Sequence, residues 1–240
     1  MLQVMAEWQL RLAGNTAELE RLVSELNEPA LAVKRDDRGF YLTAAAHGVD
    51  EKANPTKLAI DALIAKLNGL VGLLFCNRAV ITLAGLEFAR DDGSRIAVGF
   101  MAPIVARSAI VIGHGVALRN GVRIPPPRSR AARLIEATET NVDAEHVLRI
   151  FGDDLDWVAM YKVVEIVKKH SGGESGIANA GWATKKEVNL FTHTANSVGA
   201  LGDHARHGVE TTQPPIAPMM KEDGVALVRR LALRWLESLL

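Results

Sequence analysis

Three of the seven histidines lie in one polar stretch of the sequence, between Asn189 and Gly208. Histidine exchanges protons near neutral pH, arginine binds phosphate or carboxylate groups, and a carboxylate can orient an imidazole ring. The stretch contains all three side-chain types, which together could perform acid–base chemistry on an anionic substrate. The candidates for a catalytic role are His207, His193 and Arg206.

A single helix over residues 186–207 would place several of these side chains on one face. Steps of three and four residues follow the turn of an α-helix, which contains about 3.6 residues. The residues that share this face are His193, Asn196, Ala200, Asp203 and His207. Glu165, on a second predicted helix, is their natural partner. The candidate binding residues are Asn196, Asp203, Arg206 and Glu165.

Two interpretations of this polar stripe compete. In the first, the side chains tie the helix to its neighbours, because buried polar groups need hydrogen-bond partners. In the second, the stripe lines a cleft where a histidine moves protons and Arg206 binds an anion. A third interpretation is a metal site on Asp203 and His207, which are one helical turn apart, with a further ligand from elsewhere. We predict neither a metal nor a cofactor.

Composition and missing motifs argue against several classes of protein. The 240 residues include 28 basic and 28 acidic side chains, so the chain has no net charge to attract nucleic acid or an anionic membrane. The single cysteine, Cys76, excludes a disulfide framework and a cysteine-built zinc site. The phosphate loop, the dinucleotide-binding glycine motif, the nucleophile elbow and the zinc-protease helix motif are all missing from the sequence.

The first half of the chain alternates between strand and helix patterns. Trp8–Leu12 alternates apolar and polar side chains as a half-buried strand does. Gly14–Thr16 then offers caps for a helix that Pro29 would end, and Asp36–Gly39 has the composition of a hairpin loop. The resulting order, β-α-β-β-α-β-β, predicts an α+β domain over residues 1–124, with a mostly antiparallel sheet and two helices.

After the three prolines at 125–127, almost every segment has the periodicity of a helix. The predicted helices cover residues 133–137, 144–150, 157–169, 186–207 and 223–239. The segment Ser171–Gly176, rich in glycine and serine, is predicted to be a mobile loop. We therefore predict a second domain over residues 128–240, an all-α bundle that the stiff proline spacer separates from the first.

The sequence predicts a cytoplasmic protein that does not bind membranes. The most apolar stretch, Leu58–Phe75, is interrupted by Asp61, Lys66 and Asn68, which argues against a membrane span. The start of the sequence, Met1–Arg11, lacks the basic region and apolar core of a signal peptide.

Several segments of the C-terminal half resemble a widespread group of uncharacterised bacterial proteins. These segments are Asp156–Glu165, Thr194–Ser197, Ala205–Gly208 and Trp235–Leu236. Their arrangement is also similar to the HEPN class of helical domains, in which a helix with a glutamate packs beside a helix that ends in a histidine. The resemblance implies that Glu165 is the helix glutamate and His207 the motif histidine. It further implies a role in phage defence or a toxin–antitoxin system, in which such proteins often act on RNA as homodimers.

The HEPN nuclease signature also places an arginine a short distance before the histidine. At that spacing from His207 stand Ala200, Leu201 and Gly202, while Arg206 is adjacent to the histidine. A non-catalytic relative therefore stays open beside a nuclease. In a nuclease, His207 or His193 would take the 2′-hydroxyl proton of RNA, and Arg206 would stabilise the charge of the phosphorane.

Two function hypotheses follow. The leading one is a HEPN-like bacterial protein directed to RNA, with the helix 193–207 as its working surface and RNA or a protein as its partner. The alternative is a non-enzymatic sensor or scaffold that binds a partner or a small ligand through its N-terminal domain. The neutral net charge slightly favours the alternative, because an RNA-binding surface is usually basic.

Overall fold

The computed structural model describes residues 7–29, 31–43, 56–76, 80–90, 94–98, 118–119, 122–123, 128–210 and 212–240. The chain forms two compact units. The N-terminal unit consists of residues 1–67 and 79–133, and the C-terminal unit consists of residues 68–78 and 134–240. The proline run lies outside the described residues, so domain separation at that point stays a prediction. The units differ from the predicted domains in two respects, because residues 68–78 belong to the C-terminal unit and residues 128–133 belong to the N-terminal unit.

The N-terminal unit contains an antiparallel sheet. Its strands are β1 (Glu7–Ala13), β2 (Asn27–Glu28), β3 (Leu31–Asp36), β4 (Gly39–Thr43), β5 (Thr82–Ala89) and β6 (Arg95–Val98). They are ordered β2-β3-β4-β1-β5-β6, and every neighbouring pair is antiparallel. A separate pair joins β7 (Leu118–Arg119) to β8 (Val122–Arg123). The predicted α+β class and antiparallel sheet are confirmed.

Helix α1 (Thr16–Glu25) follows β1 and begins as the sequence predicts. The Asn15 side chain accepts hydrogen bonds from two backbone N–H groups of the first turn, which caps the helix. The predicted end at Pro29 is wrong, because the helix stops at Glu25. The backbone carbonyl of Leu26 accepts a hydrogen bond from Val33 on β3, so the chain has already turned toward the sheet.

The remaining helices run from residue 57 to the C-terminus. They are α2 (Lys57–Phe75), α3 (Arg130–Thr140), α4 (Val142–Gly152), α5 (Trp157–Ser171), α6 (Gly173–Asn179), α7 (Lys185–Asn196), α8 (Val198–Leu201) and α9 (Lys221–Glu237). A short 3₁₀ helix covers Gly202–His204. Helices α5 and α9 pack against each other, with Met160, Val164 and Trp235 among their buried side chains. The predicted C-terminal helical region is confirmed.

Helix α2 is the one helix in the described part of the chain that is long and apolar enough to cross a membrane, judged by length and composition alone. Its exposed residues all lie within 57–61. In its second half, Gly72 lies so close to α4 that an added Cβ would come within 1.9 Å of the Phe151 carbonyl oxygen. Such close packing against another helix is typical of a core helix of a globular unit.

The predicted mobile loop Ser171–Gly176 is wrong. Gly172 adopts a left-handed backbone conformation, with φ of +76°, and ends α5. Gly173 has φ of +77° and begins α6, so the glycines turn the chain between two helices. Glycine tolerates such angles because it has no Cβ. The glycine-rich and serine-rich composition, which suggests a loop, belongs to the turn between two helices.

Candidate functional site

The continuous helix predicted over 186–207 is not formed. Helix α7 ends at Asn196, and the Ser197 side chain accepts a hydrogen bond from the Ala200 N–H to cap the single-turn helix α8. Gly202, with φ of +58°, ends α8. The predicted polar stripe therefore does not lie on one helix face; its residues are His193, Asn196, Ala200, Asp203 and His207. The prediction of a working surface on a single continuous helix is wrong.

A non-local contact fixes this break in the helix. Residues 208–210 and 212–220, called here the return segment, run back beside the end of α7. The Glu210 carboxylate accepts hydrogen bonds from the Ser197 hydroxyl and the Gly199 N–H. A Cβ on Gly199 would come within 2.3 Å of Pro214 Cγ, so the return segment needs a glycine at this position.

Two neighbouring residues of α7, His193 and Thr194, contact the return segment. His193 Nε2 is 2.8 Å from the backbone carbonyl oxygen of Gln213. At the next residue, the Met219 N–H donates to the Thr194 hydroxyl at 3.0 Å. The Asn196 Oδ1 atom is buried and has no hydrogen-bond partner among the described residues. His193 therefore anchors the return segment, as the structural interpretation of the stripe expects.

A second group of the predicted residues meets on α5. The Arg206 backbone N–H donates to the Ala195 carbonyl at 2.8 Å, which holds the chain after α8 near the end of α7. Its guanidinium lies over the Tyr161 ring, 4.1 Å from the ring centroid. Arg206 Nη2 is 3.3 Å from Glu165 Oε1, and Nη1 is 3.3 Å from His207 Nε2. We call Tyr161, Glu165, Arg206 and His207 the Arg206 cluster.

The cluster brings together three of the predicted site residues and adds one that sequence reasoning missed. Glu165, Arg206 and His207 are joined, whereas Asp203 is exposed with no side-chain hydrogen bond or ion pair to any described residue. Tyr161 is the missed residue. Its signal was present in the sequence, because Tyr161 and Glu165 are four residues apart on a helix and therefore share a face.

The cluster orients Arg206, but its contacts are weak enough to be exchanged. The Arg206 side chain is 32% exposed and that of Glu165 is 50% exposed, so this ion pair contributes at most about 1 kcal/mol. An incoming anion can therefore compete with Glu165 for the guanidinium. His207 Nε2, when unprotonated, accepts a hydrogen bond from Arg206, which aligns an acid–base group beside an anion-binding group. Nowhere in the described ranges do three or more His, Cys, Asp or Glu side chains form a metal-binding group.

The N-terminal unit holds a second polar site that the sequence analysis missed. Arg11 of β1 is only 3% exposed, and its guanidinium donates to both carboxylate oxygens of Asp36, at 2.7 Å each. Arg11 Nε also donates to Glu87 of β5 at 3.1 Å. The same carboxylates bind two further arginines, since Arg38 pairs with Glu87 and Arg95 pairs with Asp36 at 3.0 Å. These five residues form the sheet ionic network.

The network lowers the pKa of Asp36. Burial alone would raise this pKa, because it disfavours the charged carboxylate. The hydrogen bonds from Arg11, Arg95 and the Arg38 backbone N–H, together with the Arg11 charge, outweigh burial and lower the pKa from 3.8 to about 2. Asp36 is therefore ionised throughout the neutral pH range. The alternation in β1 placed Arg11 on the polar face but gave no sign that this face is buried.

Comparison with known proteins adds no relative to this picture. No family model, curated protein or solved structure matches the chain. The resemblance to HEPN domains accordingly stays a prediction. The functional argument rests on the two polar sites, the Arg206 cluster in the C-terminal unit and the ionic network in the N-terminal unit.

Proposed function

We propose that this is a cytoplasmic HEPN-like bacterial protein that binds RNA, and that the Arg206 cluster binds a phosphate of the RNA backbone. One observation carries the proposal. The Arg206 guanidinium lies over the Tyr161 ring and bonds to Glu165, with His207 beside it. A guanidinium fixed in this way keeps N–H groups for a phosphate, and the geometry of its fork matches phosphate oxygens.

The same cluster supports RNA cleavage as a further step. In that reaction the 2′-hydroxyl oxygen attacks the adjacent phosphorus, and His207 Nε2 takes its proton after Arg206 Nη1 has moved from the imidazole to the phosphate. Arg206 stabilises the negative charge of the phosphorane, and the departing 5′-oxygen takes a proton from water. His193 is less suited to this role than His207, because its described contacts are with the return segment and not with Arg206. Through the HEPN resemblance, the proposal extends to phage defence and to a homodimer.

The test is RNA binding by the Arg206→Ala variant, measured by fluorescence anisotropy with a labelled RNA at several salt concentrations. Loss of one charge-assisted phosphate contact should weaken binding by about tenfold and reduce the slope of log affinity against log salt by about 1. Arg149→Ala is the matched control, since Arg149 is an exposed arginine on α4 that has no hydrogen bond or ion pair with the cluster residues. This control should bind RNA as the wild type does.

Stability and cleavage separate the roles within the cluster. Arg206→Ala removes a partly exposed side chain, so the free energy of unfolding should change by less than about 0.5 kcal/mol. His207→Ala should retain RNA binding and lose any cleavage. RNA binding by Arg206→Ala with wild-type affinity and an unchanged salt slope would rule out the Arg206 cluster as the RNA site.

A further inference from the structure

The polar face of the N-terminal sheet is buried although it carries charged side chains. Gln9 and Arg11 are two residues apart on β1 and therefore point to the same face. Glu87 of β5 is directly opposite Gln9 in the strand register. Gln9, Arg11 and Glu87 are 4%, 3% and 7% exposed. A solvated sheet face would leave such side chains open, so this face has the burial of an interior.

This face is also concave. In the strand order β3 and β6 are separated by three strands, so a flat sheet would hold them about 19 Å apart, at about 4.8 Å for each step. Yet Asp36 at the end of β3 and Arg95 on β6 are joined by an ion pair of 3.0 Å. The side chains of aspartate and arginine are too short to span a flat sheet of this width. The sheet therefore curls around its polar face.

Within the sheet ionic network, counted over the described residues, the charges do not balance. The sheet ionic network contains three guanidinium groups and two carboxylates, which leaves one positive charge. The uncompensated charge lies toward the accessible rim, where the side chains of Arg38 and Arg95 are 45% and 33% exposed. Arg38 uses Nη2 and Arg95 uses Nη1 in the network, and the other guanidinium N–H groups of these two residues have no partner among the described residues.

Gln9 supplies an independent sign of a missing partner. Its Oε1 atom is buried and accepts no hydrogen bond from any described residue. A buried amide oxygen without a donor is unfavourable, because it has lost its hydrogen bonds to water, unless a ligand or an ordered water completes it. In the strand register Gln9 is opposite Glu87 and Glu87 is opposite Ala97, so the Cα atoms of Gln9 and Arg95 are about 10 Å apart across the sheet and about 7 Å apart along the strands. The free acceptor is therefore within reach of a small molecule held at the arginines.

We infer that the concave polar face of the N-terminal sheet binds a small molecule with two features. An anionic end, phosphate or carboxylate, binds Arg38 and Arg95, and a hydroxyl or amine further along donates to Gln9 Oε1. Such a site gives the N-terminal unit a ligand-binding role that does not depend on the RNA proposal for the C-terminal unit. Polyhydroxylated molecules that end in a phosphate or carboxylate have this chemistry.

The test is isothermal titration of the full chain with ribose 5-phosphate, gluconate, ribose and inorganic phosphate. Ribose 5-phosphate or gluconate should bind, and the tighter of the two identifies the anionic group. Ribose, which lacks the anion, should not bind. Arg95→Ala should weaken binding by about tenfold or more, because it removes a charge-assisted contact. Gln9→Leu should weaken the binding of ribose 5-phosphate or gluconate but leave the binding of inorganic phosphate unchanged.

Arg21→Ala serves as the matched control, since Arg21 lies on α1 of the same unit with its side chain 52% exposed. It should bind every probe as the wild type does. If Gln9→Leu fails to fold, Gln9→Asn replaces it, because its shorter side chain keeps the amide and withdraws the oxygen from the ligand. The inference is overturned if no probe binds the wild type at millimolar concentration. It is equally overturned if ribose 5-phosphate and gluconate bind Arg95→Ala and the Gln9 variant as tightly as the wild type.

Discussion

Replacing Asp36 by asparagine should destabilise the N-terminal unit in a way that depends on pH. The substitution keeps the size of the side chain and removes the charge that pairs with Arg11 and Arg95. The Asp36 side chain is only 16% exposed, so solvent screens these pairs weakly. Its pKa falls from 3.8 to about 2 in the fold, and a shift of that size corresponds to about 2 kcal/mol in favour of the ionised form.

The sign of the pH dependence follows from the direction of this shift. A carboxyl group whose pKa is lowered by folding contributes its full stabilisation above the pKa of the unfolded chain, here near 3.8. The contribution decreases as the pH falls below that value and is mostly lost when the pH reaches the folded pKa of about 2. Asp36→Asn should therefore be about 2 kcal/mol less stable than the wild type near neutral pH and nearly equal to it in strong acid.

Urea unfolding measured by far-ultraviolet circular dichroism at a series of pH values provides the assay, and the quantity of interest is the stability difference between the two proteins. Asp61→Asn is the control. Its carboxylate is 59% exposed in a surface pair with Lys57, so the corresponding difference should be under about 1 kcal/mol at every pH. A stability gap for Asp36→Asn that stays constant from neutral to acid pH would refute the argument from the network.

Three further substitutions test the packing and capping described above. Gly72→Ala should lower stability by about 1–3 kcal/mol in thermal unfolding, although alanine is the better helix former, because its Cβ meets the Phe151 carbonyl; a more stable variant would contradict the close approach. Glu210→Gln should speed hydrogen exchange at the Gly199 amide, which loses its carboxylate acceptor, and unchanged exchange would contradict that contact. Asn15→Ala should cost about 1 kcal/mol in urea unfolding, whereas Asn15→Ser should cost little; equal losses would exclude the side-chain cap.

Local patterns were enough to predict the framework of the N-terminal unit. The alternation of Trp8–Leu12 predicted β1, and Asn15 marked the start of α1, because strand periodicity and helix capping depend on residues close in sequence. The hairpin between β3 and β4 was predicted from its turn residues for the same reason. The end of α1 was not, since Leu26 leaves the helix to bond with β3, a contact between elements.

The candidate site was predicted less well because its geometry depends on distant residues. His193 and His207 have the spacing of residues on one helix face, but no single helix connects them. The contact made by Glu210 and the turn at Gly202 interrupt it. Glu210 lies beyond the end of the predicted helix, so the hydrophobic periodicity of that segment gives no information about its effect. The sequence did identify Arg206 and Glu165 as candidates, and the turn after α8 brings these two side chains together.

The sheet ionic network shows a different limit. The alternation in β1 assigned Arg11 to the polar face, but its carboxylate partners come from β3 and β5. Which residues meet across a sheet depends on register and curvature, and neither is written in the pattern of a single strand.

The division of α2 between the two units has a consequence for synthesis of the protein. The chain leaves the ribosome from its N-terminus, so residues 68–78 emerge well before residues 134–240, with which they fold. At about 5–20 residues per second, the apolar second half of α2 waits for seconds before α4 can cover it. During that interval the nascent chain presents a surface suited to chaperones or to misassembly. A fragment beginning at residue 134 would lack this core helix from the start, so no single cut separates the protein into two intact halves.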